Sequence, residues 1–214
     1  FYTVITASNG AEGWEKVQSE HPNLILSDVI MPKLSGTELC KLIKENLDTC
    51  HIPVILLTAQ TAIEHNLEGL RIGADDYITK PFNINILLSR CNNLVNNRIM
   101  LQEKFSKQPQ ATPQILATNI LDKAFIDQAM KIIEQHLDDT NFNVDIFARE
   151  MSIARTKLFN KLKDITGQTP YEFIITVRLK RAAFMLKNNP ELNISEIADH
   201  LGFSSPRQFT KSFK

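Results

Sequence analysis

Three polar side chains close three apolar runs. Asp28 ends LILSD, Thr58 sits at the end of PVILLTA, and Lys80 follows DYIT. Taken singly, each has a plain reading. An Asp after a strand is a turn or cap former, a Thr in a strand is a β-former, and a Lys before Pro81 is a solvated loop residue. Taken together, they fall at the ends of successive strands. In a parallel sheet those ends lie on one edge, where open α/β sheets place their sites. A carboxylate, a hydroxyl and an ammonium gathered there can accept a phosphoryl group. The carboxylate is the nucleophile. The hydroxyl donates to one phosphoryl oxygen and the Lys charge neutralises another. Bringing an anionic donor up to a carboxylate calls for a divalent cation, Mg²⁺ or another.

The elements that would position these groups alternate. YTVITA (2–7) is β-branched and ends at the turn signal SNG. AEGWEKVQSE (11–20) is an amphipathic helix with Trp14 and Val17 on one face. LILSD is apolar on both faces, as a covered parallel strand should be. A helix over 35–46 turns Leu39, Leu42 and Ile43 inward, and PVILLTA (53–59) is a second buried strand. Helix 62–73 ends at Gly73, strand 76–79 follows, and a long helix spans 83–105. This order predicts a doubly wound parallel sheet.

On these residues the first part resembles a response-regulator receiver domain of two-component signalling, with a flavodoxin-like fold. The match is carried by SDVIMP with Gly36 after it, by LLTA, and by GADDYITKPF. The resemblance implies that Asp28 is the phospho-acceptor, and that Thr58, Ala59, Tyr77 and Lys80 bind the phosphoryl group or form the switch. It implies a cis Lys80–Pro81 bond. It also implies that Mg²⁺ is held by Asp28, the backbone carbonyl of Ile30 and an acidic pair. That pair belongs at the end of a first, central strand, whereas FYTVITA resembles the second strand. The expectation is therefore a receiver whose first strand and acidic pair are missing from the chain, through truncation or because another chain fills the gap. Asp75 and Asp76 precede the last strand and lie at the wrong edge to replace the pair.

Bulk properties divide the chain. Residues 1–100 carry 8 Lys and Arg against 11 Asp and Glu, and residues 141–214 carry 12 against 7. A basic back half points to a polyanion partner. Cys40, Cys50 and Cys91 are odd in number without metal-ligand spacing, which reads as reduced thiols in a cytoplasmic protein. No apolar run is long enough to span a bilayer, so no membrane contact is expected from this segment. The expected domains are 1–105, a polar linker at 106–121 with Pro109 and Pro113, and an all-helical 122–214.

In the back half, Phe125, Ile126, Ala129, Ile132 and Ile133 form a stripe on the first helix. Two helix-turn-helix patterns follow, over 143–170 and 194–214, joined by a helix over 171–189. Ile146, Phe147, Met151, Leu158 and Leu162 would core the first. Ile194, Ile197, Ala198, Leu201, Phe203, Phe209 and Phe213 would core the second. Arg155, Thr156, Lys157, Asn160 and Lys161 suit base edges and phosphates, as do Ser205, Pro206, Arg207, Gln208 and Lys211. Any one of these cations could equally be a solvated helix face.

EIADHLGFSS with FTKSFK, and KLKDITGQTPYEFI with RLKRAAFML, make this half resemble the AraC-type DNA-binding domain. The resemblance implies two reading helices in successive major grooves, with a last helix missing. The two halves together resemble the C-terminal part of a hybrid two-component sensor. The expected function is a phosphorylation-controlled transcription regulator. A histidine kinase, in the same polypeptide or another, phosphorylates Asp28, and the phosphorylated form is a homodimer on DNA. The alternatives are a DNA-binding regulator whose receiver is not phosphorylation-controlled, and a hydrolase with Asp28 as nucleophile. No second acid or base near Asp28 supports the hydrolase.

Overall fold

The computed structural model describes residues 2–59 and 73–213. The helix expected over 62–73 lies outside these residues except for Gly73. The chain divides into two compact units, Phe1–Arg98 and Ile99–Lys214.

The first unit holds α1 (Gly10–Glu20), β1 (Ile25–Asp28), α2 (Gly36–Glu45), β2 (Val54–Ala59), β3 (Asp76–Lys80) and the start of α3 (Ile84–Lys107). The strands form one parallel sheet in the order β1-β2-β3. In register, Asp28 pairs with Leu57, Thr58 with Thr79, and Ala59 with Lys80. The continuous apolar run of β2 follows from burial on both faces. Val54 and Leu56 pack with Val17, Leu39, Cys40 and Ile43 of α1 and α2. Ile55 faces the other way and packs with Ile78, Leu87 and Cys91. The doubly wound, flavodoxin-like class expected from the sequence is therefore present.

Two local expectations are corrected. Residues 2–7 form no strand. In the topology expected from the resemblance they would pair with a central strand rather than with β1. A strand without a neighbour cannot satisfy its backbone groups. Leu42, expected inward, is exposed on α2, whereas Cys40 is buried.

At the lower end of the sheet, the Lys44 ammonium pairs with Asp75 at 2.7 Å and donates to the Ile52 carbonyl at 2.9 Å. Asp75 also accepts the Val54 N–H at 2.7 Å. Asp76 pairs with Arg90 at 3.1 Å. Both acids thus fasten the strand starts, away from the Asp28 end.

The second unit contains a 3₁₀ turn (Pro113–Leu116), α4 (Ile120–Gln135), α5 (Val144–Glu150), α6 (Arg155–Thr166), α7 (Pro170–Asn188), α8 (Ile194–His200) and α9 (Pro206–Phe213). Within the stretch 106–121 expected as a linker, Pro113 and Leu116 are buried. The inward stripe of α4 is buried as expected from its period. Thr169 opens α7 with a capping box, its hydroxyl taking the Glu172 N–H while Glu172 takes the Thr169 N–H. Phe105, from the last turns of α3, packs against Phe173 with ring centroids 5.7 Å apart.

The two helix pairs share one turn. Ile153 N–H donates to the Ala148 carbonyl at 3.2 Å, and Phe203 N–H donates to the Ala198 carbonyl at 3.1 Å. Each bond reaches back five residues, as in a Schellman-type end. Each turn passes through a left-handed residue, Ser152 at φ 56° and Gly202 at φ 62°. Ile194 is an exception to its expected core: it is 55% exposed on the first residue of α8. Only the main chain of Phe213 is described.

Candidate functional site

Asp28 ends β1 with its backbone already committed. The Val29 N–H donates to the Leu57 carbonyl at 2.9 Å, and the Gly36 N–H returns to the Val29 carbonyl at 3.0 Å. The loop 29–35 is thus pinned at both ends. Lys33 adopts a left-handed φ of 67°, and Ser35 caps α2 in a capping box with Glu38. Hydrogen bonds from the Ser35 hydroxyl and N–H hold the Glu38 carboxyl below the usual carboxylate range.

The side chain of Asp28 faces two donors. The Lys80 ammonium lies 2.5 Å from Oδ2, and the Ile30 N–H lies 3.4 Å from Oδ1. The Lys80–Pro81 bond that follows is cis. Thr58 is 4% exposed, and its hydroxyl donates to the Ala59 carbonyl at 3.3 Å. Tyr77 packs against the α1–α2 side of the sheet, and its buried hydroxyl has no partner among the described residues. Burial, with a smaller contribution from Cys40, pushes this phenol up to about 12, so it is uncharged at neutral pH.

A carboxylate beside an ammonium at the C-terminal edge of a parallel sheet suits phosphoryl acceptance. The Lys charge offsets that of the incoming anion. A divalent cation needs more than this. Among the described residues no group of three or more His, Cys, Asp or Glu could hold a metal ion. Asp28 supplies one carboxylate, so the described residues do not by themselves fit a complete cation site.

Gly36 is what allows α2 to start against the acceptor. A Cβ there would run into the Asp28 carbonyl oxygen and approach the Ser27 hydroxyl to 2.9 Å. Gly36→Ala is expected to destabilise the first unit by about 1–3 kcal/mol through overpacking. It should also slow phosphoryl acceptance by displacing the loop. Urea unfolding checks this, and an unchanged midpoint would mean that α2 is not seated on Asp28.

The second unit offers the other site. On α6, Arg155, Thr156 and Asn160 are exposed and Lys157 is half-buried. Arg155 makes an exposed ion pair with Asp145 at 2.8 Å, of a kind that contributes about 0–1 kcal/mol. On α9, Pro206, Arg207 and Lys211 are exposed, while Ser205 and Gln208 are half-buried. The Ser205 hydroxyl accepts the Gln208 N–H at 3.2 Å as the cap of α9. The Gln208 amide oxygen accepts from Ser204 N–H and Oγ at 3.0 and 2.7 Å. Its expected base contact therefore falls to the amide nitrogen.

Lys161 is corrected. It is 2% exposed, and its ammonium lies 2.6 Å from Asp122 of α4. A fully buried cation paired with a fully buried acid cannot reach DNA. Asp122 is also held by the Asn119 amide at 2.7 Å. The signal was available: Asp122 lies on the same inward stripe as Phe125 and Ile126.

Comparison with known proteins agrees with both halves. A model of the response regulator receiver domain matches residues 1–92, and one of a helix-turn-helix domain matches 147–214. Histidine kinase P4 of Formosa agariphila is 44% identical over 213 residues, covering 100% of this chain and 16% of that protein. Response regulator MprA of Mycobacterium ulcerans is 32% identical over 156 residues, covering 73% of this chain and 58% of that protein. A solved receiver domain of a signal transduction histidine kinase from Syntrophus aciditrophicus is 38% identical. It covers 44% of this chain and 72% of that one, with a TM-score of 0.42. The chain spans less than two thirds of the length of either curated relative.

Proposed function

Because the chain is a response-regulator receiver domain followed by an AraC-type helix-turn-helix domain, we propose that it is a two-component regulator whose DNA binding is controlled by phosphorylation of Asp28. The observation that carries this is the convergence of Asp28, Thr58 and Lys80 at the ends of three adjacent parallel strands. Asp28 attacks the phosphorus of the donor, and the P–O or P–N bond to the donor breaks. Lys80 shifts from the carboxylate to the new phosphoryl oxygens. The Thr58 hydroxyl turns from the Ala59 carbonyl to the same group, and Tyr77 follows into the space vacated.

The donor is a histidine kinase, in the same polypeptide or another. The match of the whole chain to a protein named as a histidine kinase supports this. Receiver domains generally bind Mg²⁺. In this chain Asp28 and the Ile30 carbonyl would be two of its oxygen donors. Among the described residues no helix is long and apolar enough to cross a membrane, which is compatible with work in the cytoplasm. The phosphorylated form is expected to be a homodimer.

On DNA, α6 and α9 each enter a major groove. Two grooves read from one face lie about 34 Å apart. Arg155, Thr156, Lys157 and Asn160 serve the first, and Arg207, Gln208 and Lys211 the second. The Pro206 ring and the Ser205 cap fix the entry of α9. Arg207→Ala is expected to weaken binding to a selected duplex by roughly 1–3 kcal/mol. Titration against that duplex and a random one checks it. Equal loss on both would make Arg207 a phosphate contact with no part in reading sequence.

A further inference from the structure

Arg178 lies on α7, between the two helix-turn-helix units, and is 5% exposed. Among the described residues it has no carboxylate at hydrogen-bond distance. Its guanidinium instead donates to three main-chain carbonyls. Nη1 reaches Gly202 at 2.8 Å, and Nη2 reaches Asp139 at 2.7 Å and His136 at 3.1 Å. Gly202 is the left-handed residue in the turn of the second helix-turn-helix pair. A Cβ there would come within 2.7 Å of Nη2 and within 2.9 Å of the Leu137 and Asp139 carbonyl oxygens, so glycine leaves the room that the guanidinium fills.

The other two carbonyls belong to the segment leading into α5. That segment is fastened to the first helix-turn-helix pair. His136 stacks on Phe142 with centroids 4.6 Å apart and lies 2.9 Å from Glu150 of α5. Phe142 in turn meets Phe147 of α5 at 5.8 Å. One side chain thus bonds the turn of one unit and the strut of the other at the same time.

We propose that Arg178 is a positioning residue for DNA reading: it fixes the mutual orientation of the two helix-turn-helix units, so that α6 and α9 meet grooves at one spacing. A planar guanidinium presents separate nitrogens in a fixed fork. An ammonium donates from one point and cannot replace both arms. Burying a cation is costly, and burial lowers the proton affinity of this guanidinium while the charge of Asp139 partly offsets it. Arg178 is buried, and its three carbonyl bonds go to neither α6 nor α9.

The proposal rests on the reading of the chain as a two-groove DNA binder. The test uses the full chain and a duplex selected by it from a random pool. Failure to select any duplex would sink that reading rather than this one. Arg178→Met and Arg178→Lys are then titrated against three duplexes: the selected one, one with the second half-site scrambled, and one with a base pair inserted between the half-sites. Loss of about tenfold or more on the selected duplex is expected, since the charge-assisted bonds that hold the two helix-turn-helix units at one spacing go. Binding to the half-site duplex should be unchanged. The wild-type penalty for the inserted base pair should shrink in both variants. Unchanged affinity for the selected duplex overturns the proposal. So does equal loss on the half-site duplex. So does failure of both variants to fold, because Arg178 would then serve stability alone.

Discussion

Asp28→Asn is expected to abolish phosphoryl acceptance, by on the order of 10³-fold or more, as loss of a covalent nucleophile does. The amide keeps the shape of the carboxylate and can still accept the Ile30 N–H that lies 3.4 Å from Oδ1. It has no charge to pair with Lys80 and no lone pair of carboxylate strength. The ion pair it removes is partly solvent-exposed, with side chains 41% and 38% accessible. Pairs of that kind contribute about 0–1 kcal/mol, so the fold should survive the change. Intact-mass measurement after incubation with acetyl phosphate reads the result. Undiminished incorporation in the variant would place the phosphoryl group on another residue.

The second large effect is on stability. Lys161→Met leaves the fully buried Asp122 carboxylate with the Asn119 amide at 2.7 Å but without the ammonium at 2.6 Å. Breaking a buried pair from one side costs about 3–5 kcal/mol. That is a large part of the 5–15 kcal/mol typical of a domain. Urea unfolding of the helical transition should show it. The double variant Asp122→Leu, Lys161→Met should recover most of the loss, because an apolar pair of similar volume removes the stranded charge. The same variants test the correction made to the DNA face. Under conditions where Lys161→Met is folded, the salt dependence of DNA binding should match that of the wild type. A slope lower by about one would make Lys161 a phosphate contact after all.

How much was legible in the sequence depends on what kind of signal each residue gave. Asp28, Thr58 and Lys80 were legible because apolar runs mark parallel strands, and the ends of parallel strands share an edge. The two helix-turn-helix units were legible from helix period and turn residues, and the shared five-residue return to Ala148 and Ala198 bears out their likeness. Residues 2–7 misled because β-branched composition states a preference for pleated, half-buried surface, while a strand also needs a partner. Lys161 misled because a cation on a reading helix was given a solvent-facing role. It lies between the buried Leu158 and Leu162, and inward period should have outweighed charge. Arg178 carried the same signal, flanked by the buried Ile174, Val177 and Ala182. Its three carbonyl partners are distant in sequence, and no local pattern announces them. Ile194 shows the converse, an apolar residue left exposed at a helix start.

The account stands most directly on one comparison: the affinity of the full chain for a selected duplex, with and without acetyl phosphate, alongside Asp28→Asn. Coupling between a switch and a binding face is typically 1–3 kcal/mol. Affinity should therefore rise by about tenfold when Asp28 is phosphorylated, and the variant should show no rise. Equal affinity in the two states of the wild type, with incorporation at Asp28 verified by mass, would contradict phosphorylation control and leave a DNA-binding regulator indifferent to its receiver.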